Sequence, residues 1–246
     1  MTKPVKSSGT LFLIPSSLGS EYTDVVFPAA FSGFINTLEV FIVENARTAR
    51  RFLKSAGYSK SFDDATFHIM DKHTSDTEQA AFLDEILTGR SAGLLSEAGC
   101  PGIADPGQQI VRYAHSLGIP VKPLVGPNSI LLALMASGMN GQQFCFHGYL
   151  PIRKHQQVQK IKEIEKDAKG GGATQIFMET PFRNLSLAEE VIRQCSSSTL
   201  FCIATDLTME TEEIITKPVG QWRKDGLPKL HKRPCIFLLW YPGKKG

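Results

Sequence analysis

A short apolar strand leads into a loop rich in glycine and proline: Leu94-Leu95-Ser96-Glu97-Ala98-Gly99-Cys100-Pro101-Gly102-Ile103-Ala104-Asp105-Pro106-Gly107. Glycine lets a backbone lie against a ligand, and proline fixes the shape of a loop before the ligand arrives. A strand-to-helix turn usually needs only about two to six residues, so this segment favours a binding loop over an ordinary turn. We expect Asp105 to cap the following helix and Pro106 to be its first residue.

The composition is that of an ordinary globular protein. The chain has 246 residues, 42% of them hydrophobic and 21% charged, with a formal net charge of +3. That charge permits an anionic partner without demanding one.

The five cysteines form no CxxC pair, which indicates reduced thiols, and Cys100 is either a packing residue or a reactive one. No signal peptide is evident and the longest apolar run, 130–136, is too short for a bilayer, so we expect a cytoplasmic protein without membrane contact.

Strands and helices alternate along the chain, which predicts an α/β fold. The predicted strands are 10–14, 38–43, 66–70, 92–95, 121–125, 144–149, 174–178, 200–204 and 236–240. The predicted helices are 46–56, 77–87, 108–117, 130–137, 154–168 and 181–194, with Gly170 to Gly172 as a flexible connection. We expect two lobes, 1–123 with a mostly parallel Rossmann-like sheet between helices and 124–246 with a mixed α/β architecture, and a cofactor cleft between them.

Three loops follow strands of the first lobe and should meet at one sheet edge. They are Pro15 to Ser20, Ser96 to Gly107, and Gly126-Pro127-Asn128-Ser129. None has the Gly-Lys-Ser/Thr of a P-loop or a GxGxxG fingerprint, which argues against a triphosphate or NAD. The pattern predicts a compact ligand that is held by backbone groups.

These loops, in this order, resemble those of the tetrapyrrole methylase superfamily, and most of all its 16S ribosomal RNA cytidine 2′-O-ribose methyltransferases. The resemblance rests on Pro15 to Ser20, Glu44 to Thr48, Ser96 to Gly107 and Gly126 to Ser129, and continues through Phe146 to Pro151 and Glu179 to Arg183. This chain has Glu97 where the family has aspartate, an altered segment at Met70 to Ser75, and no counterpart of the family's small extra C-terminal domain.

The resemblance implies S-adenosylmethionine as cofactor and no metal. The residues it places at the cofactor are Pro15, Gly19, Ser96, Glu97, Ala98, Gly99, Ile103, Ser129, Phe146, Met178, Ala204 and Leu207. Glu97 would accept hydrogen bonds from the amino group of the cofactor or would instead cap its own loop. Phe146 is either a ligand contact or a core residue.

A ribose hydroxyl that accepts a methyl group must lose its proton to a base. Glu44 and His73 are the candidate catalytic residues, because both follow strands at the expected edge. For His73 the alternative is a solvated loop residue, and for Glu44 it is an ion pair with Arg47.

RNA also requires contacts to phosphate. Arg47, Arg50 and Arg51, with Lys54, lie at helical spacing and predict a basic face for substrate binding. Two further basic clusters occur at Arg153 to His155 and at Lys229, Lys232 and Arg233, and a solvated surface is the favoured interpretation of each.

The sequence therefore predicts a cytoplasmic, homodimeric S-adenosylmethionine-dependent methyltransferase that acts on ribosomal RNA in the small subunit. Two alternatives stay open: a methyltransferase for a tetrapyrrole or another small molecule, and a cofactor-binding protein that has lost turnover.

Overall fold

The computed structural model describes residues 8–19, 23–70 and 74–243. The chain forms two compact units, Met1–Asn128 and Ser129–Gly246. Ser20 and His73, which the sequence analysis singled out, lie outside the described residues. Each unit has its own sheet and its own apolar core.

The first unit is a parallel α/β sandwich. Its elements are β1 (Leu11–Ile14), α1 (Thr23–Val26), α2 (Phe31–Ile35), β2 (Val40–Val43), α3 (Ala46–Ser55), β3 (Thr66–Ile69), α4 (Asp76–Ala81), α5 (Asp84–Leu87), β4 (Ala92–Leu95), α6 (Gln108–Ser116) and β5 (Val121–Pro123). The strand order is β3-β2-β4-β1-β5, and every pairing is parallel. The predicted parallel sheet is therefore confirmed.

Both faces of this sheet are covered by helices, which is why β2 and β4 are apolar along their whole length. On one face Phe31, Ile35 and Leu53 from α2 and α3 pack against Phe41 and its neighbours. On the other face the helices α5 and α6 bury a second set of side chains, including Ile86, Ile110 and Ala114. Each such buried aliphatic side chain contributes about 1.5–3 kcal/mol to folding.

The predicted single helix 77–87 is wrong. The chain instead forms α4 and α5, which are separated at Phe82 and Leu83. Ser75 caps α4 through a capping box with Glu78, so the helix starts one residue earlier than predicted. The buried residues of this segment are Gln79, Leu83 and Ile86, which keep helical spacing across the break, whereas Ala81 and Leu87 are exposed.

The second unit contains a mixed sheet. Its elements are α7 (Ser129–Ser137), β6 (Phe144–Tyr149), α8 (Lys154–Gly171), β7 (Thr174–Glu179), α9 (Asn184–Gln194), β8 (Leu200–Thr205), β9 (Glu213–Pro218), α10 (Val219–Asp225) and β10 (Cys235–Trp240). The order is β6-β7-β10-β8-β9, with β6 and β7 parallel and the other pairs antiparallel. This is the predicted mixed architecture.

The core of the second unit lies between this sheet and the helices α8, α9 and α10. Phe177, Phe201 and Phe237 stack across three neighbouring strands, with ring centroids 5.8 and 5.9 Å apart. The indole of Trp222 packs against Phe201 and donates its N–H to the Phe201 carbonyl at 2.9 Å. The sequence analysis missed β9 and α10, although Glu213-Ile214-Ile215-Thr216 has the β-branched residues typical of a strand.

Two other helix boundaries and one helix cap differ from the prediction. Gly170 and Gly171 belong to α8, and only Gly172 leaves the helix, in the left-handed conformation with φ of 65°. The helix α9 begins at Asn184 rather than at residue 181. Helix α6 begins at Gln108 with Gly107 as its N-cap, so Asp105 is not the cap.

All five cysteines are free, and Cys195, Cys202 and Cys235 are buried. Burial raises the pKa of the Cys195 and Cys235 thiols to about 12, which keeps both protonated. Within residues 8–19, 23–70 and 74–243, no helix has the length and apolar character needed to cross a bilayer.

Candidate functional site

Three loops of the first unit are joined at the carboxyl edge of its sheet. Ser16, just after β1, forms a two-way backbone bridge with Gly99, with N–O distances of 2.8 and 3.1 Å. The Ser16 hydroxyl also donates to the Ser96 carbonyl at 2.7 Å. The thiol of Cys100 donates to the Pro127 carbonyl at 3.4 Å. The predicted meeting of these loops is confirmed, and we call the joined segments the ledge.

Close packing explains two of the glycines. A Cβ atom on Gly126 would lie 2.3 Å from Cγ of Pro15, so only glycine lets the third loop approach the first. At Gly107 a Cβ atom would lie 2.9 Å from Oδ1 of Asp105. Because Gly126 and Pro127 pack within the ledge, they belong to the first unit, whereas the predicted division after residue 123 separated them from it.

The glycine loop is folded around Asp105. Its Oδ1 accepts hydrogen bonds from the backbone N–H groups of Gly102 and Gly107, both at 2.8 Å. Gly99, Gly102 and the non-glycine Ala104 all have positive φ, between 61° and 81°. These bonds replace the predicted helix cap, because the loop curls back and uses Asp105 to hold its own peptide groups.

Burial raises the pKa of the Asp105 carboxyl, and the two peptide N–H groups oppose the rise. Its Oδ2 atom is buried and accepts no hydrogen bond from the described residues. Ile103, at the outer side of the same loop, keeps 46% of its surface exposed. The loop thus carries an exposed apolar side chain beside peptide groups that Asp105 holds in place.

Two carboxylates and a hydroxyl connect the ledge to α3. The Thr48 hydroxyl donates to Oε1 of Glu97 at 2.6 Å. The Glu97 backbone N–H donates to Oε1 of Glu44 at 3.4 Å. Asn45, the residue after Glu44, caps α3, because its side chain accepts hydrogen bonds from the backbone N–H groups of Arg47 and Thr48. Among the described residues Glu44 forms no ion pair with Arg47, so that alternative is wrong.

Burial is the largest cause of the raised pKa of the Glu44 carboxyl, and the nearby charges of Asp105 and Glu97 raise it further. The hydrogen bond from the Glu97 N–H opposes them. A carboxylate that holds its proton above its ordinary range is a stronger base once it has lost it. Glu44 is therefore suited to accept a proton at the edge of the ledge.

The basic residues of α3 lie beside this carboxylate group. Arg47, Arg50, Arg51 and Lys54 are all exposed, and within the described chain none forms an ion pair. The Arg50 guanidinium lies over the Phe67 ring at 4.8 Å from its centroid, which orients that side chain. Because four exposed cations lack acidic partners, the helix keeps a positive surface that is available to an anion.

The residues predicted on the second unit follow strands of its sheet. Met178 and Ala204 both lie opposite Ile236 in the register of β10, so they face the same side. Met178 and Phe146 are partly exposed, whereas Leu207 is 6% exposed and Ala204 is fully buried. Ala204 thus presents no surface to a ligand, and Ser129 begins α7.

Sequence reasoning missed two groups that shape these loops. Thr48 was not predicted as a site residue. Its hydroxyl lies in the first turn of a helix that follows a strand, and this position is a signal that could have identified it. After β8, Asp206 and Thr208 adopt φ of 49° and 71°, and Arg233 binds Asp206 Oδ2 at 2.6 Å. Nothing local in the sequence pairs Asp206 with Arg233, which is 27 residues away.

Residues 33–222 match the family described as Tetrapyrrole (Corrin/Porphyrin) Methylases. This range is more than half of the chain, so the protein belongs to that family. The sheet architecture and the ledge are consistent with this membership.

Curated relatives narrow the comparison. The chain is 28% identical over 222 residues to "Ribosomal RNA small subunit methyltransferase I" of Escherichia coli O157:H7, covering 89% of this chain and 73% of the relative. It is 31% identical over 211 residues to the protein of the same name from Halalkalibacterium halodurans, covering 84% of this chain and 67% of the relative.

Solved structures share the fold. The methyltransferase CobJ superposes with a TM-score of 0.62 at 16% identity and covers 95% of both chains. Uroporphyrin-III C-methyl transferase of Thermus thermophilus, solved in complex with S-adenyl homocysteine, gives 0.57 at 12% identity, with 94% of this chain and 97% of that chain covered.

Proposed function

We propose that this protein transfers the methyl group of S-adenosylmethionine to RNA of the small ribosomal subunit, at the ribose 2′-oxygen of a cytidine. The observation that carries the proposal is the ledge, in which Ser16, Gly99 and Asp105 hold turned peptide groups at a sheet edge. The name shared by the curated relatives supports the acceptor. S-Adenosylmethionine supplies a methyl group that its sulfonium already activates.

The residues of the ledge fit this cofactor. In the proposal the peptide groups of Ser96 to Gly99 and the Glu97 carboxylate hold the methionine part, and Ile103 packs on the adenine. Ile103 is partly exposed, and Asp105 Oδ2 is buried and has no hydrogen-bond partner among the described residues; both support a site that is completed by a ligand. The contributions of Pro15, Gly19, Ala98, Ser129, Phe146, Met178 and Leu207 belong to the same proposal.

Glu44 is the proposed catalytic base, because it is half-buried, has a raised pKa and lies beside Glu97. It accepts the proton of the ribose hydroxyl while the surrounding residues align the oxygen with the methyl carbon and exclude water. The role of His73 stays a prediction, since it lies outside the described residues.

The exposed side chains of Arg47, Arg50 and Arg51 are the proposed phosphate contacts. Guanidinium groups bind phosphate through paired donors, and RNA binding draws most of its affinity from such contacts. Their position on the helix that follows Glu44 supports an acceptor strand that passes over the ledge.

Methyl transfer from labelled S-adenosylmethionine tests this function. Incubation with small ribosomal subunits that lack the modification should label the RNA, and nuclease digestion should release a 2′-O-methylated cytidine. A porphyrinoid acceptor in a parallel reaction tests the small-molecule alternative, which the family description favours. Labelling of the porphyrinoid alone, or cofactor binding without transfer to any acceptor, would overturn the RNA assignment.

We further propose a homodimer. The helix α7 carries no charged residue; its Ile130, Ala133 and Leu134 are buried while Met135 is 78% exposed. A helix that is apolar on all sides is usually covered completely, which supports a second copy against Met135. A ribosomal substrate would also support a cytoplasmic location, which belongs to the same proposal.

A further inference from the structure

Phe182 is an unusually exposed aromatic residue in the turn between β7 and α9. It keeps 70% of its surface exposed, and its ring meets that of His231 edge to face, with centroids 6.2 Å apart. An exposed aromatic pair is unfavourable in water unless something covers it. The turn follows Glu179, at the same sheet edge as the loop after β8.

Hydrogen bonds to backbone groups join the two segments that carry these rings. The Lys232 N–H donates to the Pro181 carbonyl at 3.0 Å, and the Asn184 side chain donates to the Arg233 carbonyl at 2.6 Å. Lys232 itself has φ of 63°, a left-handed conformation that costs energy for a residue with a side chain. The two segments are therefore held together before any ligand binds.

Two lysines lie within two residues of His231 in the chain. Lys229 and Lys232 are exposed and form no ion pair with any described residue. The neighbouring acids are occupied: Glu179 binds Arg183 at 2.6 Å, and Arg233 binds both Asp206 and Glu213. Glu212 accepts the backbone N–H of Thr208 at 2.7 Å.

We propose that Phe182, His231, Lys229 and Lys232, which we call the stacking platform, bind an unpaired nucleotide of the RNA substrate. The base stacks on Phe182, and the two lysines contact the phosphates on either side of it. Proteins recognise single-stranded RNA by this combination of aromatic faces and cations. This inference rests on the proposed function and adds a second RNA contact, separate from α3.

Fluorescence anisotropy with a short fluorescein-labelled single-stranded RNA tests the platform, using the full chain. Phe182→Ala should weaken RNA binding about 5- to 150-fold, while Phe182→Trp should retain it because tryptophan keeps a stacking face. The double variant Lys229→Ala/Lys232→Ala should reduce the slope of log K against log salt by about 1.4, since each phosphate contact on a single strand contributes about 0.7.

Phe144→Ala is the matched control. Phe144 is an exposed phenylalanine of the same unit, but it begins β6, at the opposite end of the parallel strands. Its removal should leave RNA affinity within about twofold of the wild type, as expected for a surface change away from the contact. Affinity for S-adenosylhomocysteine, measured by calorimetry, should be unchanged in all four variants.

The outcomes separate the platform from the proposed function. If the wild type methylates ribosomal RNA but Phe182→Ala binds the oligonucleotide as the wild type does, the platform is wrong and the function stands. If the wild type neither binds nor methylates RNA, both fail. If sedimentation shows that Phe182→Ala dissociates a dimer while RNA affinity is unchanged, the patch joins two copies and the platform is overturned.

Discussion

At the scale of single residues, the ledge depends on side chains that act on backbone groups. Asp105 holds the peptide groups of Gly102 and Gly107, and Glu44 holds that of Glu97. The carboxylates of Asp105 and Glu97 lie close enough to Glu44 that each raises the pKa of its carboxyl. Proton transfer and loop shape therefore depend on the same small group of residues.

The raised pKa of Glu44 predicts a pH dependence that Glu44→Gln removes. The rate should rise with pH as the carboxyl loses its proton, at a pH above its ordinary value of 4.5, and the variant should lose about 100-fold or more in kcat. Rates measured from acid to neutral pH provide the test. A Glu44→Gln enzyme with the wild-type rate would contradict the assignment.

The same shift predicts an effect on stability. The folded carboxyl holds its proton to a higher pH than the unfolded one, so the free energy of unfolding falls as pH rises between the two pKa values. Glu44→Gln should remove this fall, as measured by urea unfolding at several pH values.

Two substitutions of Thr48 separate the contribution of its hydroxyl to cofactor binding from that of its shape. Thr48→Val keeps the volume but loses the hydrogen bond to Glu97, and should weaken S-adenosylhomocysteine binding about fivefold, equivalent to ~1 kcal/mol. Thr48→Ser keeps the hydroxyl and should bind nearly as the wild type does. A loss in Thr48→Ser with none in Thr48→Val, measured by calorimetry, would show that the methyl group matters and the bond does not.

At the scale of elements, local sequence signals placed most strands and helices to within a few residues. The strands 92–95 and 144–149 have the predicted bounds, because both are short apolar runs between turn residues. Errors occur at the break between α4 and α5 and at the cap of α6. Helix α6 begins at the predicted Gln108, but its N-cap is Gly107, because Asp105 bonds within the loop instead of capping the helix.

Because two loops approach each other closely at Gly126, replacing this glycine should lower the stability of the protein. Gly126→Ala places a Cβ atom against the rigid ring of Pro15 and should destabilise the protein by about 1–3 kcal/mol and weaken cofactor binding. Gly141→Ala is the control, because a Cβ atom there meets nothing within 4 Å. Thermal unfolding should separate the two variants, and equal midpoints would show that the ledge tolerates the displacement.

The basic face of α3 predicts a salt effect. Arg47→Ala/Arg51→Ala should weaken RNA binding at low salt and flatten its salt dependence by about 0.7 per lost phosphate contact on single-stranded RNA. Cofactor affinity should not change, because neither side chain contacts the ledge through a described hydrogen bond. An unchanged salt slope would place the RNA elsewhere.

At the scale of the whole molecule, each of the two units buries its own apolar core. The first buries side chains on both faces of a parallel sheet, and the second uses a mixed sheet with a stacked aromatic row. The sequence distinguished these architectures through the regular alternation of strands and helices in the first half of the chain. The sequence did not predict β9 or α10. In this part of the chain β9 follows β8 directly, so the alternation of strand and helix is broken.

The proposed homodimer predicts a measurable association. Sedimentation equilibrium should give a mass near twice 27.1 kDa, and Met135→Lys should lower it by placing a charge against an apolar surface. A substitution of the same kind at the exposed Val25 of the first unit serves as a comparison. A wild type that sediments as a monomer at all concentrations would contradict the dimer.

The sequence by itself determined the fold class, the glycine loop and its position after a strand, because apolar periodicity and turn residues act locally. The tertiary structure decided which groups meet: Ser16 with Gly99, Thr48 with Glu97, Gly126 with Pro15, and Phe182 with His231. Each of these pairs is separated by many residues along the chain. Their contact depends on the order of strands in a sheet, which no local pattern encodes.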